Sequence, residues 1–524
     1  MNYLTSPIAL IALACACILP GCSSDDNAIQ SRNVVPPSVE KTAQALTREL
    51  TLQGMQVSRG YFRLYTQEDC QYSYDSMKNC YGNNPAAPYI GFALPPWPDE
   101  FLDPATTTAL GLVDPGYRGT FRLDPREALV ILGVMPPPAA YFGLQTYLFT
   151  REGTYDKNST TYQYIASNYP STLSTYFAEV PGNLKRIQVY SSLGNSNNNV
   201  VFERQSGGSF GQERYFIVTP DKTMDGTVRN ALQKVSISAA AIVTEPVPMT
   251  TRLGLWESAD EFVSVMRYAM PADGGGAGTA SDTWRNQLPM VVLRVRDPRQ
   301  DRATQPYPPP VLDTRSAVDE RTYAANLAQL VAAVNARWGI ACKGDVCPNV
   351  STFEDLQSSP YSLVGPICTS IGMNCLGDTQ DTTYDASPVM PLSKGEVYAV
   401  AGVLATETGN ATYVGLSVND TVMKKGLANI DSGQLKNTAQ AYAASVGSAD
   451  KLYVYYFTRD CSTIAAMTGG NCFSVDTTMI PECPVYGSPS CDYLKIGQRR
   501  YIKPGTTRGP DPQKTLSPVT VRVR

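Results

Sequence analysis

The sequence predicts an α+β fold: two β-rich domains with a few helices, mixed and antiparallel sheets, and loops pinned by disulfides. Three observations predict it. Apolar residues gather in runs of strand length, alternating or continuous, that are broken by turn residues. A strand–helix–strand pattern interrupts those runs near residue 213, and such a unit makes a right-handed crossover in a mixed sheet. The 39 prolines and 40 glycines imply many turns, and ten of the 13 cysteines fall in sequence-adjacent couples.

At the start of the chain an apolar stretch of about 14 residues ends in Leu19-Pro20-Gly21-Cys22 and gives way to Ser23-Ser24-Asp25-Asp26. It is too short for a bilayer-spanning helix, which needs roughly 20 residues, and it suits the apolar core of a signal peptide. The arrangement resembles a bacterial lipoprotein signal. That resemblance implies cleavage before Cys22, lipidation of its thiol, and anchoring to the membrane by acyl chains. Ser23, where lipoproteins of the inner membrane carry Asp, implies the outer membrane. Residues 1–21 then read as signal peptide and 22–37 as a polar tether.

An N-terminal α+β domain is expected over 38–296. Val39, Ala43, Leu46 and Leu50 at helical spacing predict a helix from Ser38, read as its N-cap, to about Gln53. Strands are predicted over 56–66, 89–94, 119–123, 128–134 and 141–150, then 214–219, a helix over 223–235 and a strand over 235–244. Residues 257–270 suit two states: Ser258-Ala259-Asp260-Glu261 fits a capping box, whereas Phe262, Ser264, Met266 and Tyr268 suit one face of a strand. A further strand is predicted over 289–295.

Residues 297–316 are charged and then proline-dense, a linker pattern. A C-terminal α+β domain is expected over 317–524. It opens with an amphipathic helix over 317–338, read as capped by Ser316, with Leu327, Leu330, Val331 and Val334 on one stripe. Strands are predicted over 396–404, 411–418 and 451–459, and the tail beyond is read as loop-rich.

Removing Cys15 and Cys17 with the signal and Cys22 to lipid leaves five couples: Cys70 with Cys80, Cys342 with Cys347, Cys368 with Cys375, Cys461 with Cys472, and Cys483 with Cys491. Adjacent pairing within the couples is the simplest connectivity in an oxidising compartment. No C-x-x-C occurs, so the redox and zinc-ribbon signatures are missing.

Composition narrows the chemistry. The chain has no histidine, so neither a Ser-His-Asp unit nor a His-ligated metal can be built. A net charge of −4 without a basic run argues against a nucleic-acid partner. Gly207-Gly208-Ser209-Phe210-Gly211 fits the nucleophile elbow in letters but lacks the base it needs. Ser38-Val39-Glu40-Lys41 fits S-x-x-K without its partner motifs, and Asp221 to Gly226 starts like a calcium loop but reaches Leu232 where Glu is required. The segment is read instead as a turn capping the helix that follows. One loop keeps a cation reading: Asp378, Asp381 and Asp385, with threonine hydroxyls between, offer the oxygen ligands that calcium takes.

Glu127-Ala128-Leu129-Val130-Ile131-Leu132-Gly133, Pro136-Pro137-Pro138-Ala139-Ala140-Tyr141-Phe142-Gly143 and Gly377-Asp378-Thr379-Gln380-Asp381-Thr382-Thr383-Tyr384 resemble segments of uncharacterised secreted bacterial proteins. The resemblance implies no activity. The expectation is therefore a lipid-anchored envelope protein that serves as a non-catalytic binding or structural module, with an unknown ligand or envelope protein as partner. The alternative is a carboxylate- or cation-dependent hydrolase of envelope or extracellular polymer.

Overall fold

The computed structural model describes residues 33–342, 347–482 and 493–524. The signal, Cys22, Cys483 and Cys491 lie outside them. Helices hold 26% and strands 30% of the residues, and among the described residues the named strands pair antiparallel apart from two parallel pairings. The fold is α+β, as predicted. Among the described residues no helix is long and apolar enough to cross a membrane.

The first half is built on an 11-stranded sheet. Its centre is the Gln56–Leu64 strand, which changes partner along its length: Gln56 to Gly60 pair with Met290–Arg296, and Tyr61 to Leu64 pair with Ile90–Ala93. On one side follow Glu127–Val134, Glu213–Thr219 and Ile242–Pro246; on the other follow Glu261–Pro271, Ala139–Glu152 and Asn183–Ser192. From Ala128 to Val134 the Glu127–Val134 strand is continuously apolar because both of its faces are covered. Ala128, Val130 and Leu132 pack under the Pro37–Leu52 and Lys222–Lys234 helices, while Leu129 and Ile131 join the inner core with Phe142, Phe262 and Met266. Leu46 and Leu50 are fully buried, each contributing about 1.5–3 kcal/mol by area. Glu213–Thr219, its helix and Ile242–Pro246 form the expected parallel crossover.

The second half is a sandwich. The Ala324–Arg337 helix covers one face of a five-stranded sheet centred on Val397–Val403 and Leu452–Thr458. The other face of that sheet packs on a six-stranded sheet centred on Tyr493–Tyr501 and Tyr413–Asp420. The outer face of the six-stranded sheet turns toward the first half, where Tyr413 and Tyr501 pack with Tyr141 and Ala269.

Several local expectations need correction. Ser38 is not a cap: the helix starts at Pro37 with Pro36 before it, and the Ser38 hydroxyl donates to Glu213 at 2.6 Å. Ser316 caps nothing, because a 3-10 turn, Glu320–Tyr323, capped by Asp319, precedes the helix. Residues 257–270 resolve as the Glu261–Pro271 strand. Glu261 is held there by the hydroxyls of Thr106, Thr120 and Thr150 at 2.6–3.0 Å, so it is unavailable for a capping box. Residues 119–123 make only an isolated bridge, Phe121 to Phe262. The tail read as loops contains Tyr493–Tyr501, the central strand of its sheet.

The proline-dense segment is fastened to the first half: Gln305 N–H donates to Asp221 at 2.7 Å and Asp313 N–H to Asn195 at 3.0 Å. Four of the five predicted disulfides are present among the described residues, with S–S distances of 1.90–2.04 Å. Cys70 bonds to Cys80, Cys342 to Cys347, Cys368 to Cys375, and Cys461 to Cys472. The fifth predicted bridge, Cys483 to Cys491, falls outside the described residues.

Candidate functional site: a cleft between the two halves

The period of two along Tyr493–Tyr501 creates the site. Leu494, Ile496, Gln498 and Arg500 point into the sandwich and are buried, so Lys495, Gly497 and Arg499 face outward. The neighbouring strands add Tyr384, Ser417 and Asn419 to that face. Opposite stand Tyr81 and Gly82, and Thr172, Thr175 and Tyr176 at the Leu173–Tyr176 turn of helix. Leu356, Leu363 and Leu376 complete an apolar wall. The enclosed volume is about 490 Å³, within the roughly 300–1,000 Å³ of small-molecule sites.

A disulfide and three hydrogen bonds fix the rim. The bond from Cys70 to Cys80 anchors the loop that enters the cleft. Cys80 N–H donates to the carbonyl of Met423 and Gly82 N–H to that of Lys424, both at 2.8 Å, and Arg499 Nη2 donates to the Gly82 carbonyl at 2.7 Å. Asp420 holds the hairpin turn by accepting from the amides of Val422, Met423 and Lys425 at 2.6–2.9 Å.

Three acids, Asp378, Asp385 and Asp420, and three cations, Lys424, Lys495 and Arg499, line the cleft, but the acids spend their oxygens within the protein. Lys424 and Lys495 both line it, and among the described residues neither ammonium makes a hydrogen bond or ion pair. Burial, reinforced by the Lys495 charge and partly offset by Asp420, pushes Lys424 down to about 8. Burial also lowers Lys495, with Glu354 opposing it. Burial in a cavity and proximity of like charge both disfavour the charged form.

The three aspartates of the predicted cation loop do not converge. Asp378 accepts from Ser192 N–H and Oγ, both at 2.8 Å, from Gly365 N–H at 3.0 Å and from Gln380 Nε2 at 2.8 Å. Asp381 accepts from Tyr141 and Asn198 at 3.1 Å and from Thr379 at 2.8 Å. Asp385 pairs with Arg500 and accepts from Ser517 Oγ at 2.7 Å. All three are 0–2% exposed, and among the described residues no group of three or more acids or cysteines is placed to hold a metal. Protein donors occupy the oxygens that a calcium ion would need. Asp378 and Asp385 border the cleft, and burial pushes each up to about 6 against the donors that favour ionisation. Ser209 of the elbow-like loop donates to Glu203 at 3.0 Å, a structural contact, and Asp221 caps its helix through the amides of Thr223 and Met224.

Sequence reasoning missed Lys424, Lys495 and Arg499. Over residues 493–497 basic and glycine positions interleave with apolar ones, a partial signal for Lys495, but Gln498 and Arg500 break the pattern on either side of Arg499, and Lys424 lies outside it.

No family model and no curated protein matches the chain. Among solved structures, an uncharacterized protein from Burkholderia cenocepacia is similar at 9% identity and a TM-score of 0.35, covering 92% of this chain and 96% of that one. The VPA0106 protein from Vibrio parahaemolyticus is similar at 10% identity and a TM-score of 0.33, covering 93% and 100%.

Proposed function

We propose that the chain is a lipid-anchored protein of the cell envelope, held at the outer membrane through Cys22, and that it acts as a non-catalytic binding module with its ligand site in the cleft between its halves. The cleft carries this reading: it has room for a small molecule, walls of aromatic and aliphatic side chains, and polar groups that the protein itself leaves unused. The anchor rests on Leu19-Pro20-Gly21-Cys22 and on the even cysteine count that remains once the signal cysteines and Cys22 are set apart. The hydrolase alternative has less support, because the acids bordering the cleft spend their oxygens on internal hydrogen bonds.

Two measurements test the reading. Cys22→Ser should move the protein from the membrane to the soluble fraction, and continued membrane partitioning overturns the anchor. The neutral fluorophore N-phenyl-1-naphthylamine should bind the wild type saturably at one site, and Thr175→Trp, which fills the cleft from its rim, should abolish that binding. Absence of saturable binding, or indifference to Thr175→Trp, overturns the cleft as a ligand site.

A further inference from the structure

Two lysines from separate elements are brought to one cavity. Among the described residues neither ammonium makes a hydrogen bond or ion pair, and Asp420 and Glu354 act on them only without contact. Lys495 arrives because the strand alternation leaves it on the outer face of the sheet. Lys424 arrives through a tight turn that holds it in the left-handed region, φ 56°, where glycine or asparagine is ordinarily favoured and other side chains are disfavoured. A strained lysine beside a second lysine has no structural benefit in the empty protein, since the two cations repel and both lose hydration. Strain of this kind concentrates at ligand sites. Asp420, the nearest acid in the turn, does not neutralise them by contact, because its oxygens are taken by three backbone amides. Arg499 adds a third cation at the same rim, fixed by its bond to Gly82. The rest of the wall is aromatic and aliphatic, with Tyr81, Tyr176, Leu356, Leu363 and Leu376.

We propose that the cleft binds an amphiphilic anion, with a carboxylate or phosphate head between Lys424 and Lys495 and an apolar body against Tyr176, Leu356, Leu363 and Leu376. This deepens the binding-module reading and rests on it. An anionic head reverses the repulsion between the lysines and forms charge-assisted hydrogen bonds in a partly dehydrated site. The body buries apolar surface that the cavity otherwise leaves wet. Carboxylate and phosphate share the chemistry the lysines recognise, and the experiment separates them.

The test is displacement of N-phenyl-1-naphthylamine from the full chain by decyl phosphate, decanoate, decanol and inorganic phosphate. Decyl phosphate or decanoate should displace the probe at least tenfold more tightly than decanol, and the tighter of the two names the head group. Inorganic phosphate should be at least tenfold weaker than decyl phosphate. Lys424→Gln with Lys495→Gln should weaken displacement by the anionic amphiphile at least tenfold relative to displacement by decanol, a ratio that general damage to the cleft would not change. Lys424→Arg with Lys495→Arg should retain affinity within about threefold, as charge is kept. Decanol displacing as well as the anions, or the double Gln variant binding them undiminished, overturns the proposal while the cleft remains a ligand site. Inorganic phosphate matching decyl phosphate overturns the amphiphile and makes the site a small-anion site. Failure of the neutral probe itself overturns the binding-module reading instead.

Discussion

Asp378, in the second half of the chain, accepts hydrogen bonds from both the backbone N–H and the hydroxyl of Ser192 at 2.8 Å, at the end of a strand of the first half. The same carboxylate takes the amide of Gly365, whose helix start lies so close that a Cβ there would meet the Ser192 carbonyl at 2.0 Å. One buried acid thus satisfies donors from both halves at the point where they touch. Asp378→Ala strands those donors. Each buried unpaired donor costs about 1–3 kcal/mol, so we expect a loss of about 3 kcal/mol or more, read from the urea midpoint. A change within about 0.5 kcal/mol would show that the contact between the halves is held elsewhere.

Stability should fall as pH rises from about 4.5 to 7. Burial pushes Glu245 up to about 7, although Thr146 and Gln145 donate to it. A carboxyl raised in the folded state favours the protonated form. Its contribution is fully present below the unfolded value of about 4.5 and is lost as pH climbs through about 7. Asp378 and Asp385, each raised to about 6, add a second loss between about 4 and 6. Glu245→Gln keeps an acceptor for Thr146 without the charge and should flatten the upper part of the profile. The check is the thermal midpoint measured every half pH unit, and a wild-type profile rising from about pH 4.5 to 7 would refute the assignment.

The β-rich architecture was legible because burial on both faces of strands such as Glu127–Val134 leaves unbroken apolar runs, and burial on one face leaves stripes such as Val39, Ala43, Leu46 and Leu50. Cysteine adjacency gave the disulfides because each bridge closes a short loop, from the five-residue separation of Cys342 and Cys347 to the eleven of Cys461 and Cys472. The cleft was not legible for two reasons. Tyr493–Tyr501 carries glycine, glutamine and three basic residues, so its strand propensity is weak, and tertiary pairing on both sides overrides that weakness. The fate of Asp378, Asp381 and Asp385 depended on Ser192, Tyr141 and Arg500, more than a hundred residues away in sequence and invisible to local spacing.

Arg294 and Glu127 form an ion pair on adjacent strands, 1% and 0% exposed. Arg294 also reaches Glu100 at 2.6 Å and lies over the Trp97 ring. Burial raises the Glu127 carboxyl while the guanidinium opposes that shift. Breaking such a pair from one side leaves a buried charge uncompensated and costs about 3–5 kcal/mol. Arg294→Met alone should lose that much. Adding Glu127→Gln should restore part of it, because the stranded charge is removed. A double-mutant cycle on chemical denaturation measures the coupling, and simple additivity would show that the two residues do not act as a pair.

Lys424→Gly should make the protein more stable, the reverse of most substitutions in a structured turn. The turn places this residue at φ 56°, which costs a side-chain-bearing residue about 1–2 kcal/mol relative to glycine. The substitution also removes a cation that burial and Lys495 hold down at about 8. Against these gains stands the greater backbone freedom of glycine in the unfolded chain, roughly 0.5–1 kcal/mol. The balance favours the variant by a few tenths to about 1 kcal/mol, visible as a higher urea midpoint with an unchanged slope. If Lys424 were there for the fold, the same change would lower the midpoint. A stabilised variant that binds decyl phosphate less tightly would place the residue among those retained for a ligand at the expense of stability.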